Sequence, residues 1–181
     1  MSKPIFETPR LILREWEDTD VTPFAALFAD PFVIEHIPPP DRLNVEAITT
    51  SIREHLARPD GLGWWAIEER NGAPFIGFTG LSIVRLDVPF VPAVDVGWCL
   101  ARDQWGKGYA SEAAKAMTEY GLGMLGLPEI VAFTIPANMR ARAVMERIGM
   151  TRDPEDDFDN PRLEDGDPFK RHVLYRLGNK A

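Results

Sequence analysis

Apolar and polar residues alternate in "RLILREW" (10–16), and that period of two predicts a strand. In "DTDVTPFAALFAD" the period lengthens. Phe24, Leu27 and Phe28 share one face of a short helix, with Thr22 as its N-cap and Pro23 in its first position. Prolines 38–40 end that region, because successive prolines cannot continue a helix. Asn44 is then placed to cap a second helix, with Val45, Ile48, Ile52 and Leu56 at helical spacing before Pro59. Two strand-like runs follow, "GWWAIEER" and "PFIGFTGLSIV", joined through Asn71-Gly72, a hairpin signal because both residues tolerate positive φ. "AVDVGWCLA" (93–101) is another strand. A helix with Ala110, Ala113, Ala114 and Met117 in a stripe is predicted to run to about Gly123. "EIVAFTI" (129–135) is strand-like and stops at Pro136. Asn138 opens a helix that turns Ala141, Val144, Met145 and Ile148 inward and closes at Gly149. "HVLYRL" (172–177) is a last strand.

This order predicts an α/β (α+β) domain with a mixed, mostly antiparallel central sheet and flanking helices, not the strict alternation of a doubly wound fold. At 181 residues, with no repeat or Gly/Ser linker, residues 1–181 are expected to form a single domain.

The one unusual junction is "RDQWGKGYASEA" (102–113), a strand feeding two glycines into a helix. Helix-start N–H groups lack intrahelical partners, and the aligned peptide dipoles add positive potential, so the turn suits an anion such as a pyrophosphate. Gly106 and Gly108 allow close backbone approach. Lys107 and Tyr109 project from the same turn, and Ala110 and Ser111 keep the first helical turn slim. The alternative is a plain turn whose glycines relieve strain. A P-loop is excluded because Gly108, not Ser or Thr, follows Lys107. A dinucleotide fold is disfavoured, since Ser111 stands where the third glycine of G-x-G-x-x-G would be.

Composition narrows the function classes. A 45% hydrophobic and 27% charged chain is ordinary for a globular protein, and Cys99 is its only cysteine, which excludes an internal disulfide and thiolate zinc clusters. His36, His55 and His172 lack metal-ligand spacing, so no metal is expected. No apolar run approaches the ~18 residues of a membrane span, and the charged start is no secretory leader, so a cytoplasmic location is expected. The net charge of −8 is concentrated in Asp153–Asp167, with eight acids and one arginine. No clustered basic surface shows, which argues against nucleic acid.

The segments "VDVGWCLARDQWGKGYASEAAKAM", "FTIPANMRARAVMERIGM" and "TPRLILREW" resemble the GNAT superfamily of N-acetyltransferases, most of all its ribosomal-protein N-terminal alanine acetyltransferase (Rim-type) branch. The resemblance implies the acyl-CoA N-acyltransferase fold, with parallel strands 93–101 and 129–135 splayed around acetyl-CoA. It places the pyrophosphate on the amides of Trp105, Gly106, Lys107, Gly108, Tyr109 and Ala110, assisted by the Ser111 hydroxyl. It pairs the pantetheine with the backbone near Cys99, Leu100 and Ala101, and hydrogen-bonds it to Asn138, which is otherwise simply a helix N-cap. Homodimers are common in the family.

Three positions depart from the family pattern. Asp103 stands where a glutamine or arginine is frequent, with Gln104 displaced by one. Ala141 replaces a serine able to protonate the departing thiolate, and the tyrosine used elsewhere is absent from 139–150.

An attacking amine must be neutral, although alkyl amines of pKa ~10 are mostly protonated at pH 7, so a base is required. The resemblance puts Asp95 where relatives carry a glutamate, a candidate base acting through water because aspartate is one methylene shorter. Strand alternation sets Asp95, Gly97 and Cys99 on one face. The carbonyl oxygen needs a donor as it gains charge, and the backbone N–H groups around Trp98 to Leu100, Leu100 above all, are placed for it. Tyr175 is a weaker candidate, and Cys99, Trp64, Trp65 and Trp98 read as packing.

The acceptor amine is expected to be a protein N-terminal α-amine or a small molecule, reacting by direct attack in a ternary complex. The alternative is a non-catalytic acyl-CoA-binding module. Asp156, Asp157 and Asp159 are expected to draw a cationic amine, so that neutralising them raises its KM. Gly108→Val is expected to weaken acetyl-CoA binding with little loss of fold.

Overall fold

The computed structural model describes residues 5–38 and 61–178, in which eight strands form one sheet. They are β1 (Phe6–Glu7), β2 (Leu11–Arg14), β3 (Gly63–Glu69), β4 (Gly77–Ile83), β5 (Val94–Leu100), β6 (Glu129–Thr134), β7 (Phe158–Asp159) and β8 (Arg171–Gly178). Their order across the sheet is β1-β2-β3-β4-β5-β6-β8-β7, antiparallel everywhere except β5 beside β6. Three α-helices accompany them: α1 (Val21–Ala29), α2 (Tyr109–Glu119) and α3 (Met139–Arg147). The predicted helix capped by Asn44, with His55, lies outside the described residues.

The apolar stripe of α2 does what its spacing predicts. Ala113, Ala114 and Met117 are fully buried against Trp65, Leu81, Val96 and Ile130 from the sheet. Small side chains let the helix axis lie close to the strands, which fixes where its N-terminus emerges beside the end of β5. The helix proper stops at Glu119 and continues as one π turn, Tyr120–Met124. A Cβ on Gly121 would sit 2.6 Å from Cδ1 of Ile130, so this turn needs glycine for its close approach to the sheet.

Two boundaries differ from the sequence expectation. The hairpin after β3 turns with Asn71 alone at positive φ (63°), and Gly72 does not need its freedom. Helix α1 begins at Val21 rather than after Thr22, following a 3₁₀ turn at Asp18–Asp20. The cause is Asp20, whose carboxylate accepts the Glu17 N–H (2.8 Å) and both terminal nitrogens of Arg14 (2.8 and 2.9 Å). That turn starts the helix two residues early, and Pro23 still falls within the first turn, where no N–H is required.

Arg14 and Asp20 are both buried, and Arg14 also donates to Glu68 (2.9 Å) and to the Pro74 carbonyl (2.6 Å). Asp20→Ala therefore leaves a buried guanidinium short of its main counter-charge. The expected loss is about 3 kcal/mol of unfolding free energy, measured by urea denaturation.

Candidate active site

The site begins with a break in the sheet. Odd-numbered residues of β5 exchange hydrogen bonds with the β4 side: Val84 N–H reaches Ala93 O and Ala101 N–H reaches Ile76 O, each at 2.9 Å. By alternation, the N–H and C=O groups of Trp98 and Leu100 face β6. Pairing with β6, however, is confined to Asp95 opposite Val131, and the strands part beyond it. The Leu100 carbonyl is taken by Trp105 Nε1 (2.9 Å), which leaves the Trp98 and Leu100 N–H groups aimed into the gap. The expected backbone partners Cys99, Leu100 and Ala101 thus reduce to Leu100, because Cys99 turns its main-chain groups toward β4, the Ala101 N–H bonds Ile76 O, and the Ala101 carbonyl accepts from Gln104 N–H (2.9 Å).

The glycine turn lies at the mouth of this gap. Gly106 and Gly108 have φ of 76° and 81°, in the left-handed region. No side chain caps α2, and its first helical bond is Glu112 N–H to Gly108 O (3.1 Å). The N–H groups of Tyr109, Ala110 and Ser111 consequently have no acceptor among the described residues, and they point where the helix dipole is positive. Gln104 faces the same cavity and accepts from Lys107 Nζ at 2.9 Å. Asp103, where the family often has glutamine or arginine, instead lines a different hollow. Ser111 Oγ accepts from Arg147 Nη1 at 3.0 Å, so a guanidinium from the end of α3 stands beside the turn.

The sequence reading missed what holds this turn. Glu112, on the first turn of α2, accepts from Thr8 Oγ1 (2.6 Å), Arg10 N (2.9 Å) and Arg10 Nε (2.7 Å). Arg10 also donates to the Lys107 carbonyl at 2.8 Å and lies 4.7 Å from the Tyr109 ring centroid, while the Tyr109 hydroxyl donates to Glu69. Burial works to raise the Glu112 carboxyl, but the Thr8 and Arg10 donors win and hold it below the ordinary range. The only signal was that Thr8 and Arg10 belong to "TPRLILREW". Glu112→Ala removes the hub of this clamp, and calorimetric titration is expected to find coenzyme A affinity reduced about tenfold with the fold retained.

Two cavities, of about 580 and 530 Å³, line the gap end to end. The first holds the glycine turn with Cys99 and Leu100, the second holds Asp95 and Gly97, and Trp98, Asn138 and Ala141 border both. Asn138 caps α3 through Ala141 N–H (3.1 Å) and donates to Thr134 Oγ1 (3.0 Å), keeping one amide N–H for a ligand. The carboxylate of Asp95 accepts from Ser82 Oγ at 2.6 Å. Burial pushes its pKa up to about 6, against the opposing pull of the Ser82 hydroxyl and its own backbone. The same burial pushes the Cys99 thiol up to about 12, so it is no nucleophile at neutral pH.

Other expectations are corrected. Asp156, Asp157 and Asp159 line neither cavity. Asp156 accepts from Arg176 (2.7 Å), Asp157 from Arg152 (Nε, 2.9 Å), and Asp159 from Arg171 (3.2 Å). These carboxylates staple the chain around β7 and β8, and they are not poised to draw an amine. Tyr175, buried, donates to Glu146 (2.7 Å) and accepts from Arg142 (3.3 Å), behind α3 and away from the cavities.

A parted strand pair with an uncapped, glycine-led helix at its mouth, joined to a carboxylate-bearing cavity, is the arrangement expected of an acyl-CoA-dependent acyltransferase. Residues 10–151 match the model of the acetyltransferase (GNAT) domain, and the chain belongs to that family. YkkB of Bacillus subtilis (strain 168) is 32% identical over 144 residues, covering 79% of this chain and 83% of that protein. Among solved structures, an acetyltransferase from Agrobacterium tumefaciens str. C58 superposes with a TM-score of 0.74 at 28% identity, covering 99% and 96% of the two chains. The ribosomal-protein-S5-alanine acetyltransferase of Vibrio fischeri superposes at 0.69 with 18% identity and 98% coverage of each chain, a likeness of fold. The protein is an acetyl-CoA-dependent N-acetyltransferase. Among the described residues no helix is long and apolar enough to cross a membrane, and no group of acids, histidines or cysteine is arranged to hold a metal.

Proposed function

We propose that the protein transfers acetyl to a primary amine by direct attack, with both substrates bound along the β5–β6 gap. Acetyl-CoA supplies an activated thioester carbonyl, and the chain's own groups do the rest. The amides of Tyr109, Ala110 and Ser111, with Lys107 and Arg147 nearby, receive the diphosphate. The Leu100 main chain and Asn138 align the pantetheine. The Trp98 N–H faces the carbonyl oxygen as it gains charge. Asp95 takes the amine's proton, directly or through one water, and a carboxyl near 6 is well matched to that work at neutral pH. With Ala141 in place of a serine, the departing thiolate takes its proton from solvent, an undemanding step for a thiol of pKa ~8.5.

The observation that carries this reading is the continuity of the trough: Trp98 and Asn138 border both the glycine-turn cavity and the Asp95 cavity. A Rim-type acceptor, the α-amine of a ribosomal protein, is one form of the proposal and a small-molecule amine is the other. Thiol release from acetyl-CoA is to be followed with a panel of amines and peptides, and products identified by mass spectrometry. Turnover with a primary amine is the expected result. Coenzyme A binding without turnover on any amine would favour a non-catalytic acyl-CoA-binding module.

A further inference from the structure

The second cavity has a charge pattern opposite to that of the acidic segment beside it. Its lining includes Asp95, the candidate base, together with two arginines at the rim, Arg85 and Arg162. Arg162 is the one arginine inside the Asp153–Asp167 stretch with its eight acids, yet it forms no ion pair among the described residues. Six of those eight acids have other partners. Asp156, Asp157 and Asp159 hold arginines from other positions, and Asp165 holds Lys170. Asp153 and Asp167 accept main-chain N–H bonds from Glu155 and Phe169.

Arg162 Nη2 donates instead to the Arg85 carbonyl at 2.5 Å, and its own N–H is fixed by Asn160 Oδ1 at 3.0 Å. That bond ties the 160–163 turn to the segment after β4. It brings the two arginine positions together and uses one of the five N–H donors of the Arg162 guanidinium. The Arg85 guanidinium has no partner among the described residues. Both side chains are exposed at the cavity rim.

Against the single carboxylate of Asp95, these two guanidiniums leave the arginine and carboxylate lining with a net positive charge. A polycation would meet repulsion there, whereas a planar or tetrahedral anion would meet paired forks. The geometry points to an acceptor amine that carries an anion of its own, a carboxylate or a phosphate, held by Arg85 and Arg162 while its amine faces Asp95. This rests on the acetyl-transfer reading of the same trough and names its substrate class. A volume of about 530 Å³ suits an amino-acid-sized acceptor.

The test compares matched amines as acceptors: lysine against 1,5-diaminopentane, phenylalanine against 2-phenylethylamine, and phosphoethanolamine against ethanolamine. The anionic member of at least one pair is expected to have kcat/KM at least tenfold higher, and which pair responds separates carboxylate from phosphate. The double variant Arg85→Gln/Arg162→Gln is expected to raise KM for that anionic amine at least tenfold and to leave KM for the partner lacking the anion unchanged or, for the diamine, lowered. Preference for the partners lacking the anion, or an equal effect of the double variant on both members, would overturn the inference. If no amine turns over although coenzyme A binds, the catalytic reading fails, and the anion site is judged by calorimetric titration with N-acetyl amino acids and with inorganic phosphate. At least tenfold weaker binding to the double variant supports the site. Equal binding to both proteins, or none to either, refutes it.

Discussion

Asp95→Asn is expected to lower kcat by about 10²-fold or more while making the protein more stable at neutral pH. The two effects have one origin. Asp95 lines a cavity whose walls desolvate it, and its folded pKa of about 6 stands above the ~3.9 of an unfolded aspartate. A carboxyl raised in this way costs stability in its charged form. The cost is absent below about pH 4, grows between 4 and 6, and is complete above 6. Asparagine keeps the size and can still accept from Ser82, so the variant is expected to gain on the order of 1–3 kcal/mol at pH 7.5 and almost nothing at pH 4. Urea denaturation at the two pH values measures this. For turnover the charged form is the useful one, because only the carboxylate accepts a proton. In the wild type kcat is therefore expected to fall as pH drops through about 6, and in the variant that limb should vanish. An unchanged kcat in the variant would reduce Asp95 to a partner of Ser82. Loss of activity with gain of stability is what a strained functional group predicts.

Local pattern carried most of the fold. Alternation located the strands, the Ala113–Ala114–Met117 stripe located the buried face of α2, and Gly106–Gly108 marked a turn that is left-handed at both glycines. What pattern could not carry was pairing between distant residues. Nothing in Thr8 or Arg10 announces Glu112, about a hundred positions away, because hydrogen-bond partners follow from the sheet's closure and not from spacing. The acidic segment misled for a related reason. Counting charges from 153 to 167 left out Arg152, Arg171 and Arg176, which lie just outside and neutralise Asp157, Asp159 and Asp156. Asp103 was a similar case: it departs from the family pattern at its sequence position, yet within the 3₁₀ turn at Arg102–Gln104 it lines a different hollow. Local charge predicts a local field only when the folded partners are known.

Gly108→Val is expected to reduce acetyl-CoA affinity by more than tenfold, and the structure adds a loss of stability that the sequence did not suggest. At φ 81° the residue sits where a β-branched side chain is a steric outlier, costing about 1–3 kcal/mol. Space is a lesser problem, since a Cβ there would meet only Arg10 Nη2 at 3.4 Å. To relieve the strain, φ must rotate, and the rotation swings the N–H groups of Tyr109 and Ala110 away from their common focus while pulling the Lys107 carbonyl off Arg10. Gly106→Ala separates the contributions. Its φ of 76° is equally unsuited to a side chain, but nothing lies within 4 Å of the added carbon and the residue precedes the helix cap. It should lose about 1 kcal/mol of stability through strain alone and keep more of its affinity. Thermal melts and coenzyme A titrations on both variants distinguish the cases. If Gly108→Val melts early but binds coenzyme A as the wild type does, the amides of that turn are not the diphosphate's seat, and the trough must bind it elsewhere.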